Sequence, residues 1–334
     1  MPEAPRLVQY GVGPIGASVV RLAHERGYRW IGAIDIDRGK VGKDLGDVVG
    51  LPQRLGAIVT ADPKKTLGLE PDLVVHSTTS SLKKATPQIL ACLEAGANVI
   101  STCEELSFPY FLPELAKKLD EAAKEHGCSV LGTGVNPGFV MDLLPATFMG
   151  ACWAVEHVLV ERRLDPELRR TSFQRKIGIG LSPEEFDRMI KAGGGHVGLP
   201  QSLHLLARSL GIEISQLEEG IEPVIAQEPF SRGNLHVQAG QVLGLRQWAI
   251  GYSGDHRVIE LRLEAVLGVR EPCDRVMIVG EPNLELVIPG GVPGDLATAA
   301  VVVNSIPNVL SAPPGLVTVL ELPIPKARWR STAG

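Results

Sequence analysis

Ten residues near the N-terminus constrain this chain most. Leu7-Val8-Gln9-Tyr10 is a short apolar run that breaks at once into Gly11-Val12-Gly13-Pro14-Ile15-Gly16, a G-x-G-x-x-G turn. In such a turn the first glycine lets the chain bend sharply off a strand. The second removes a side chain where a pyrophosphate approaches the backbone, and the third lets the following helix lie close on the sheet. The helix N-terminus then offers free N–H groups and the positive end of its dipole to an anion. The motif points to a dinucleotide, with Gly11, Val12, Gly13, Pro14, Ile15 and Gly16 as the residues that would meet it.

Glycine is frequent, 37 of 334 residues, so the surroundings must carry the reading. Residues 15–26 form an amphipathic pattern with Ile15, Val19, Val20, Leu22 and Ala23 on the apolar side, and Gly27 supplies a stop. A second strand, Trp30-Ile31-Gly32-Ala33-Ile34, ends in Asp35, nineteen positions after Gly16. An acidic residue there can accept the adenosine ribose hydroxyls, which favours NAD. Arg38 and Lys40 follow closely. They could clamp a 2′-phosphate if the loop swings the Asp35 carboxylate away, so NADP stays open.

From residue 55 to 132 short β-rich runs alternate with helical segments, the pattern of a doubly wound parallel (Rossmann) sheet. Strands are expected at 57–59, 72–76, 98–102 and 129–132, and helices at 82–95 and 111–126. Ligands bind beyond the carboxyl ends of such strands. The strand ends His76-Ser77-Thr78-Thr79, Thr102-Cys103-Glu104-Glu105 and Gly132-Thr133-Gly134-Val135-Asn136-Pro137-Gly138 are therefore the candidate site, with Ser77, Thr78, Thr79, Thr102 and Asn136 beside the nicotinamide end of the cofactor.

Past residue 138 the texture changes. Residues 139–149 read as an apolar helix, and strand-like runs follow at 155–161, 236–251, 257–267 and 275–288. Val258, Glu260, Arg262 and Glu264 alternate with Ile259, Leu261, Leu263 and Ala265. One wet face implies a mainly antiparallel sheet. Ser182-Pro183-Glu184-Glu185 opens a helical insert, and a helix over 200–210 ends at Gly211. Gly294-Asp295 opens an apolar helix that Pro307 is expected to interrupt. The expected organisation is an α/β dinucleotide-binding domain, 1–138 with a C-terminal return over 293–334. A second α+β domain, 139–292, would bind substrate.

The net charge is −5, and no basic run or basic–aromatic stripe accompanies it, so nucleic acid is excluded as a partner. No apolar stretch reaches a spanning length, and the first residues lack the regions of a signal peptide, so no membrane partner and a cytoplasmic location are expected. Five scattered cysteines form no C-x-x-C pair, and the histidines show no metal-ligand spacing. No catalytic metal is expected.

Nicotinamide chemistry needs a group that manages protons while hydride moves. Glu104 is the first candidate: Cys103, Leu106, Phe108, Pro109 and Phe111 surround it in sequence and could hold it partly dry. Glu105 competes, and either could instead cap a helix. His196, among Gly193, Gly194, Gly195 and Gly198, is a candidate substrate contact, and Asn136 is another. Cys103 reads as a small core residue or as part of the site's rim.

Gly11 to Gly16, Ser101-Thr102-Cys103-Glu104-Glu105-Leu106, Gly134-Val135-Asn136-Pro137-Gly138-Phe139, Gly195-His196-Val197-Gly198-Leu199-Pro200 and Gly294-Asp295-Leu296-Ala297-Thr298-Ala299-Ala300 together resemble the 2,4-diaminopentanoate dehydrogenase and native amine dehydrogenase family. That family is a relative of dihydrodipicolinate reductase. The resemblance implies NAD(P)-dependent oxidative deamination of an amine, or reductive amination of a ketone or aldehyde with ammonia. It puts amine binding on Glu104, implies Phe139 as a substrate contact beside Asn136 and His196, and implies a homodimer. A diamine would want a second acidic group, which spacing does not identify, so the expected substrate is a small monofunctional amine or its ketone, with 2,4-diaminopentanoate as the alternative. No E-K-P follows the fifth strand and no His-His pair occurs, which separates the chain from sugar dehydrogenases and from dihydrodipicolinate reductase itself. An NAD(P)-binding regulator without catalysis is the more distant alternative.

Overall fold

The computed structural model describes residues 4–329. The chain alternates β1 (Arg6–Tyr10), α1 (Pro14–Glu25), β2 (Arg29–Ile34), α2 (Leu45–Val49), β3 (Val59–Thr60), α3 (Pro63–Leu67), β4 (Leu73–His76), α4 (Leu82–Glu94), β5 (Asn98–Ser101), α5 (Pro113–Glu125) and β6 (Ser129–Gly132). After α6 (Leu143–Met149) come β7 (Ala154–Leu164), α7 (Thr171–Lys176), α8 (Pro183–Lys191) and α9 (Leu199–Leu210). They lead to β8 (Gln216–Ile225), β9 (Phe230–Arg232), β10 (Leu235–Val237), β11 (Val242–Ser253), β12 (His256–Val266), β13 (Cys273–Glu281) and β14 (Leu284–Pro289). The last elements are α10 (Gly294–Leu310) and β15 (Gly315–Val317).

Two compact units result, one formed by the residues up to Gly138 with those from Leu296 onward, the other by Phe139–Asp295. The first is built on a seven-stranded sheet in the order β15-β6-β5-β4-β1-β2-β3, parallel throughout. Its strands are apolar on both faces, as helix-covered parallel strands must be: Leu7, Val8, Val74, Val75, Val99, Ile100 and Val130 are fully buried. Leu82, Ile89 and Leu93 of α4 and Leu119 and Ala123 of α5 close one core over it. The sheet order reverses between β1 and β4, and that switch point places the ends of β1, β4 and β5 side by side.

The second unit holds a six-stranded sheet in the order β14-β13-β7-β12-β11-β8. Only β7 and β12 run parallel; the other neighbours are antiparallel. The face expected to be wet on β12 is polar but only partly exposed: Arg262 is exposed and pairs with Glu161 and with Glu260, which is itself buried, while Ile259, Leu261 and Ala265 are buried on the opposite face. Ser182 opens α8 with a complete capping box to Glu185, and Gly211 ends α9 in the left-handed region.

Several local expectations are corrected. The apolar run 139–149 is helical only from Leu143, because the Asp142 carboxylate accepts the Leu143 N–H at 2.7 Å and the Ser202 hydroxyl at 2.7 Å. That side chain caps the helix late instead of letting it begin at Phe139. The run 236–251 is two strands, split where the Gln241 side chain accepts the Gln238 N–H. The run 275–288 is a hairpin, turned at Asn283, whose side chain accepts the Gly280 N–H. The expected strand at 57–59 shrinks to Val59–Thr60. Helix α10 passes through Pro307, with Ile306 and Val309 on either side fully buried. No helix among the described residues is long and apolar enough to cross a membrane.

Candidate active site

The three glycines of the opening turn are required for different reasons. Gly11 has φ +88°, and a Cβ there would lie 2.5 Å from the Ser77 carbonyl oxygen. A Cβ on Gly16 would strike the Gly11 carbonyl and sit 2.8 Å from Gln9 Nε2. Both are imposed by the protein's own packing. Gly13 is not: its φ of −75° suits any residue, and a Cβ there would meet nothing within 4 Å. Open space in front of a backbone at the head of a helix is a cradle that a side chain would fill. Gly13 is also the N-cap of α1 without a side-chain cap, Pro14 fills the first turn, and no acidic residue lies there. These features fit a bound anion.

Asp35, at the end of β2, is fixed in place. Its carboxylate accepts the Val12 N–H at 2.7 Å and the Asp37 N–H at 2.9 Å, and it pairs with Lys40 at 3.2 Å. Lys40 also reaches Asp37 at 3.3 Å. Arg38 is exposed beside them.

At the end of β4 the Ser77 N–H donates to the Tyr10 carbonyl at 2.7 Å, and Gln9 Nε2 reaches both the Gly11 carbonyl and Ser77 Oγ. Thr79 Oγ1 accepts the Ser81 N–H at 3.2 Å. The Thr78 hydroxyl donates to Gln88 Oε1 at 2.7 Å. His76, which heads this strand end and is given no role of its own by the sequence, sits fully buried just before the loop and bonds to Ser101, Gln88 and Thr78. Burial holds its pKa at about 4 and the ring neutral. A histidine closing an apolar strand was the available signal.

The two candidate carboxylates separate. Both lie in the 3₁₀ turn Glu104–Ser107, half-buried, at the carboxyl end of β5. Glu105 Oε2 accepts the Leu82 N–H at 2.7 Å and so caps α4, whose own N-cap residue Ser81 makes no side-chain cap bond. Glu104 stands one residue earlier, between the buried Cys103 and Leu106. The turn rests on Gly132: a Cβ there would lie 2.5 Å from the Leu106 carbonyl carbon. Cys103 belongs to the core, its thiol donating to the Ser80 carbonyl at 3.1 Å. Burial pushes that thiol up to about 12, so it carries no thiolate chemistry at neutral pH.

Asn136 lies half-buried on the turn after β6, which folds back tightly: a Cβ on Gly138 would sit 2.6 Å from Thr133 Oγ1. The Val135 N–H donates to Thr298 of α10 at 3.4 Å. The structure thus gathers Gly11 to Gly16, Asp35, Arg38, Ser77 to Thr79, Thr102, Glu104 and Asn136 in one unit, on the carboxyl-end side of one sheet.

Phe139 and His196 fall in the other unit. Phe139 is half-buried in a turn. The His196 carbonyl accepts Gln247 Nε2 at 3.1 Å, and its Nδ1 is closed off from solvent. Burial first, then the positive charges of Lys176, Arg162 and Arg169, hold the ring near pKa 3. Arg162 is 3% exposed; it donates to the Val292 carbonyl at 2.6 Å and lies 3.6 Å from Asp274, and its Nη1 has no acceptor among the described residues. Arg169 pairs with Asp295 at 2.9 Å and stacks 4.2 Å above the Phe173 ring. This cluster of positive charges around His196 was not legible in the sequence, where the arginines are scattered over β7 and the loop after it. Among the described residues no group of three His, Cys, Asp or Glu could hold a metal ion.

Comparison with known proteins adds four relations. Residues 139–333 match the family model described as the 2,4-diaminopentanoate dehydrogenase C-terminal domain. The 2,4-diaminopentanoate dehydrogenase of Acetoanaerobium sticklandii is 33% identical over 97% of this chain and 95% of its own length. Among solved structures, the amine dehydrogenase from Mycobacterium smegmatis superposes with a TM-score of 0.89 at 29% identity, covering 98% of both chains. A dihydrodipicolinate reductase from Paenisporosarcina sp. shares the fold, with a TM-score of 0.53 at 14% identity over 96% of this chain and 99% of that one.

Proposed function

The chain belongs to the 2,4-diaminopentanoate dehydrogenase family, and we propose that it is an NAD(P)-dependent amine dehydrogenase that interconverts an amine with its ketone or aldehyde and ammonia. The observation that carries the reading is the division of labour between two adjacent carboxylates. Glu105 is committed to the Leu82 amide. Glu104 is the carboxylate we assign to the chemistry, at the carboxyl end of β5 in the same unit as the glycine turn.

Gly11 to Gly16 would hold the pyrophosphate, Asp35 and Arg38 the adenosine ribose, and Ser77, Thr78, Thr79, Thr102 and Asn136 the nicotinamide half. A bound nicotinamide supplies the hydride for amination and accepts it in deamination. Glu104 would bind ammonium and take one of its protons, freeing the nitrogen lone pair to attack the carbonyl carbon. It would return that proton to the hydroxyl that leaves as water. Its negative charge then stabilises the iminium cation that receives hydride. Phe139 and His196 would contact the substrate, and a neutral His196 can hydrogen-bond but not act as an acid at neutral pH. Asp35, tied to two backbone N–H groups, supports NAD, because a carboxylate held there repels a 2′-phosphate.

One observation favours 2,4-diaminopentanoate over a monofunctional amine. Arg162, Arg169 and Lys176 converge on His196, with Asp274 facing Arg162, and Asp295 facing Arg169 and Arg170. A buried guanidinium with an N–H to spare suits a carboxylate on the substrate.

The test is NADH oxidation with ammonia and a panel of ketones, aldehydes and keto acids. Ammonia-dependent turnover with any member supports the enzyme reading. NADH binding without turnover across the panel would leave a cofactor-binding regulator in its place. A preference for keto acids that Arg162→Leu abolishes would select the carboxylate-bearing substrate. A homodimer and a cytoplasmic location belong to the same reading, and sedimentation velocity tests the first.

A further inference from the structure

We propose that His76 is a positioning residue that locks the Ser77–Ser80 loop to the Glu104 turn through a buried hydrogen-bond relay, so that the cofactor-binding and proton-transfer groups are set by one side chain. The inference rests on the amine dehydrogenase reading and deepens it.

The relay runs across the ends of β4 and β5. The Cys103 N–H donates to Ser101 Oγ at 3.1 Å, and Ser101 Oγ lies 2.8 Å from His76 Nδ1. On the other side of the ring, Nε2 lies 2.7 Å from Gln88 Oε1, the oxygen that also receives the Thr78 hydroxyl at 2.7 Å. An amide oxygen cannot donate, so Nε2 carries the proton and Nδ1 accepts the Ser101 hydroxyl. Each link then has one donor and one acceptor, from the amide before Glu104 to the hydroxyl of Thr78. The ring is fully buried and its edge packs against Tyr10 at 5.5 Å. A neutral ring is required, and burial keeps it so.

A second set of bonds ties the same two loops. The Ser80 carbonyl accepts both the Cys103 thiol at 3.1 Å and the Glu105 N–H at 3.4 Å. The loops are thus zipped at their outer ends through the Ser80 carbonyl and at their root by His76. Displacement of a reacting group by about 1 Å can cost on the order of a hundredfold in rate, so the root is where positional error would be amplified.

Two isosteric replacements divide the relay. His76→Asn keeps an acceptor near Nδ1 for Ser101 and loses the Gln88 and Thr78 arm. His76→Gln keeps a donor near Nε2 and loses the Ser101 arm. His76→Asn is expected to raise KM for NADH about tenfold with kcat within about twofold of the parent. His76→Gln is expected to lower kcat about tenfold with NADH affinity nearly unchanged, and Ser101→Ala should match it and add nothing to it in the double variant. Titration of NADH by fluorescence reads the first arm without turnover. Equal losses in both variants, or lowered thermal stability with unchanged kcat and KM, would overturn the relay. An enzyme that binds NADH but shows no ammonia-dependent turnover would instead defeat the amine reading, and the His76→Asn effect on NADH affinity would still be measurable.

Discussion

At the scale of single residues, the sequence narrows the chemistry to neighbours and the structure separates them. Glu104 and Glu105 share composition, turn and strand end, and nothing in their spacing ranks one over the other. The Leu82 N–H does, because a capping bond is a tertiary fact between a loop and a helix far apart in sequence. Glu104→Gln is expected to lower ammonia-dependent kcat by about 10² to 10⁴ with NADH affinity unchanged. Glu105→Gln keeps an oxygen for the cap and should retain most of the activity, whereas Glu105→Ala should cost about 1 kcal/mol of stability in urea denaturation. If Glu105→Gln were the inactive variant, the assignment would move by one residue. The glycines divide in a similar way. Gly16→Ala must displace the Gly11 carbonyl and should lower the melting temperature, while Gly13→Ala meets open space. Gly13→Ala should fold with parental stability and lose NADH affinity, which calorimetry of binding and of unfolding would read separately.

At the scale of elements, legibility followed how local the deciding force was. The expected bounds of α1 and α9, and the start of α8, stand within one or two residues of where the structure places them, because each is set by local start or stop signals. Strand β8 was not legible: Pro223 and three glutamates argue against a strand, and it is tolerated because β8 lies at a sheet edge with only β11 beside it. Strand β15 spans three residues and has no periodicity to read; its pairing with β6 decides it. The 139–149 run was read as one helix because apolar content dominates it, whereas Asp142 sets the boundary through bonds to Leu143 and Ser202. Asp142→Ala leaves the buried Ser202 hydroxyl without that acceptor and removes the cap of α6. The expected loss is about 2 to 3 kcal/mol, measured by chemical denaturation. By contrast the exposed capping box of α8 has no buried partner to strand, so Ser182→Ala should cost only about 1 kcal/mol.

For the whole molecule, buried neutral groups in both units set a window of pH. His76 in the first unit and His196 in the second have folded-state pKa values of about 4 and about 3, below the ordinary histidine value near 6.5. Between about pH 6.5 and those values the unfolded chain takes up protons that the folded chain refuses, so stability falls as pH falls through that interval. The two shifts correspond to about 3 and about 5 kcal/mol when the interval is fully crossed. The alkaline side has the opposite origin. Cys92 and Cys103 are held at about 12, and above pH 9 the unfolded chain releases thiol protons that the folded chain retains, so stability falls as pH rises. Denaturation midpoints measured from pH 4 to 11 should therefore form a plateau between about 6.5 and 9 with a decline on each side. His196→Gln should make the acid limb shallower, because its field of Lys176, Arg162 and Arg169 then acts on a group that cannot ionise. An acid limb that is flat down to pH 4.5, or unchanged in His196→Gln, would mean that the imidazoles are not the groups that refuse the proton. The same plateau bounds the proposed chemistry from outside: within it, any pH dependence of kcat belongs to the reacting groups and to ammonia, not to loss of the fold.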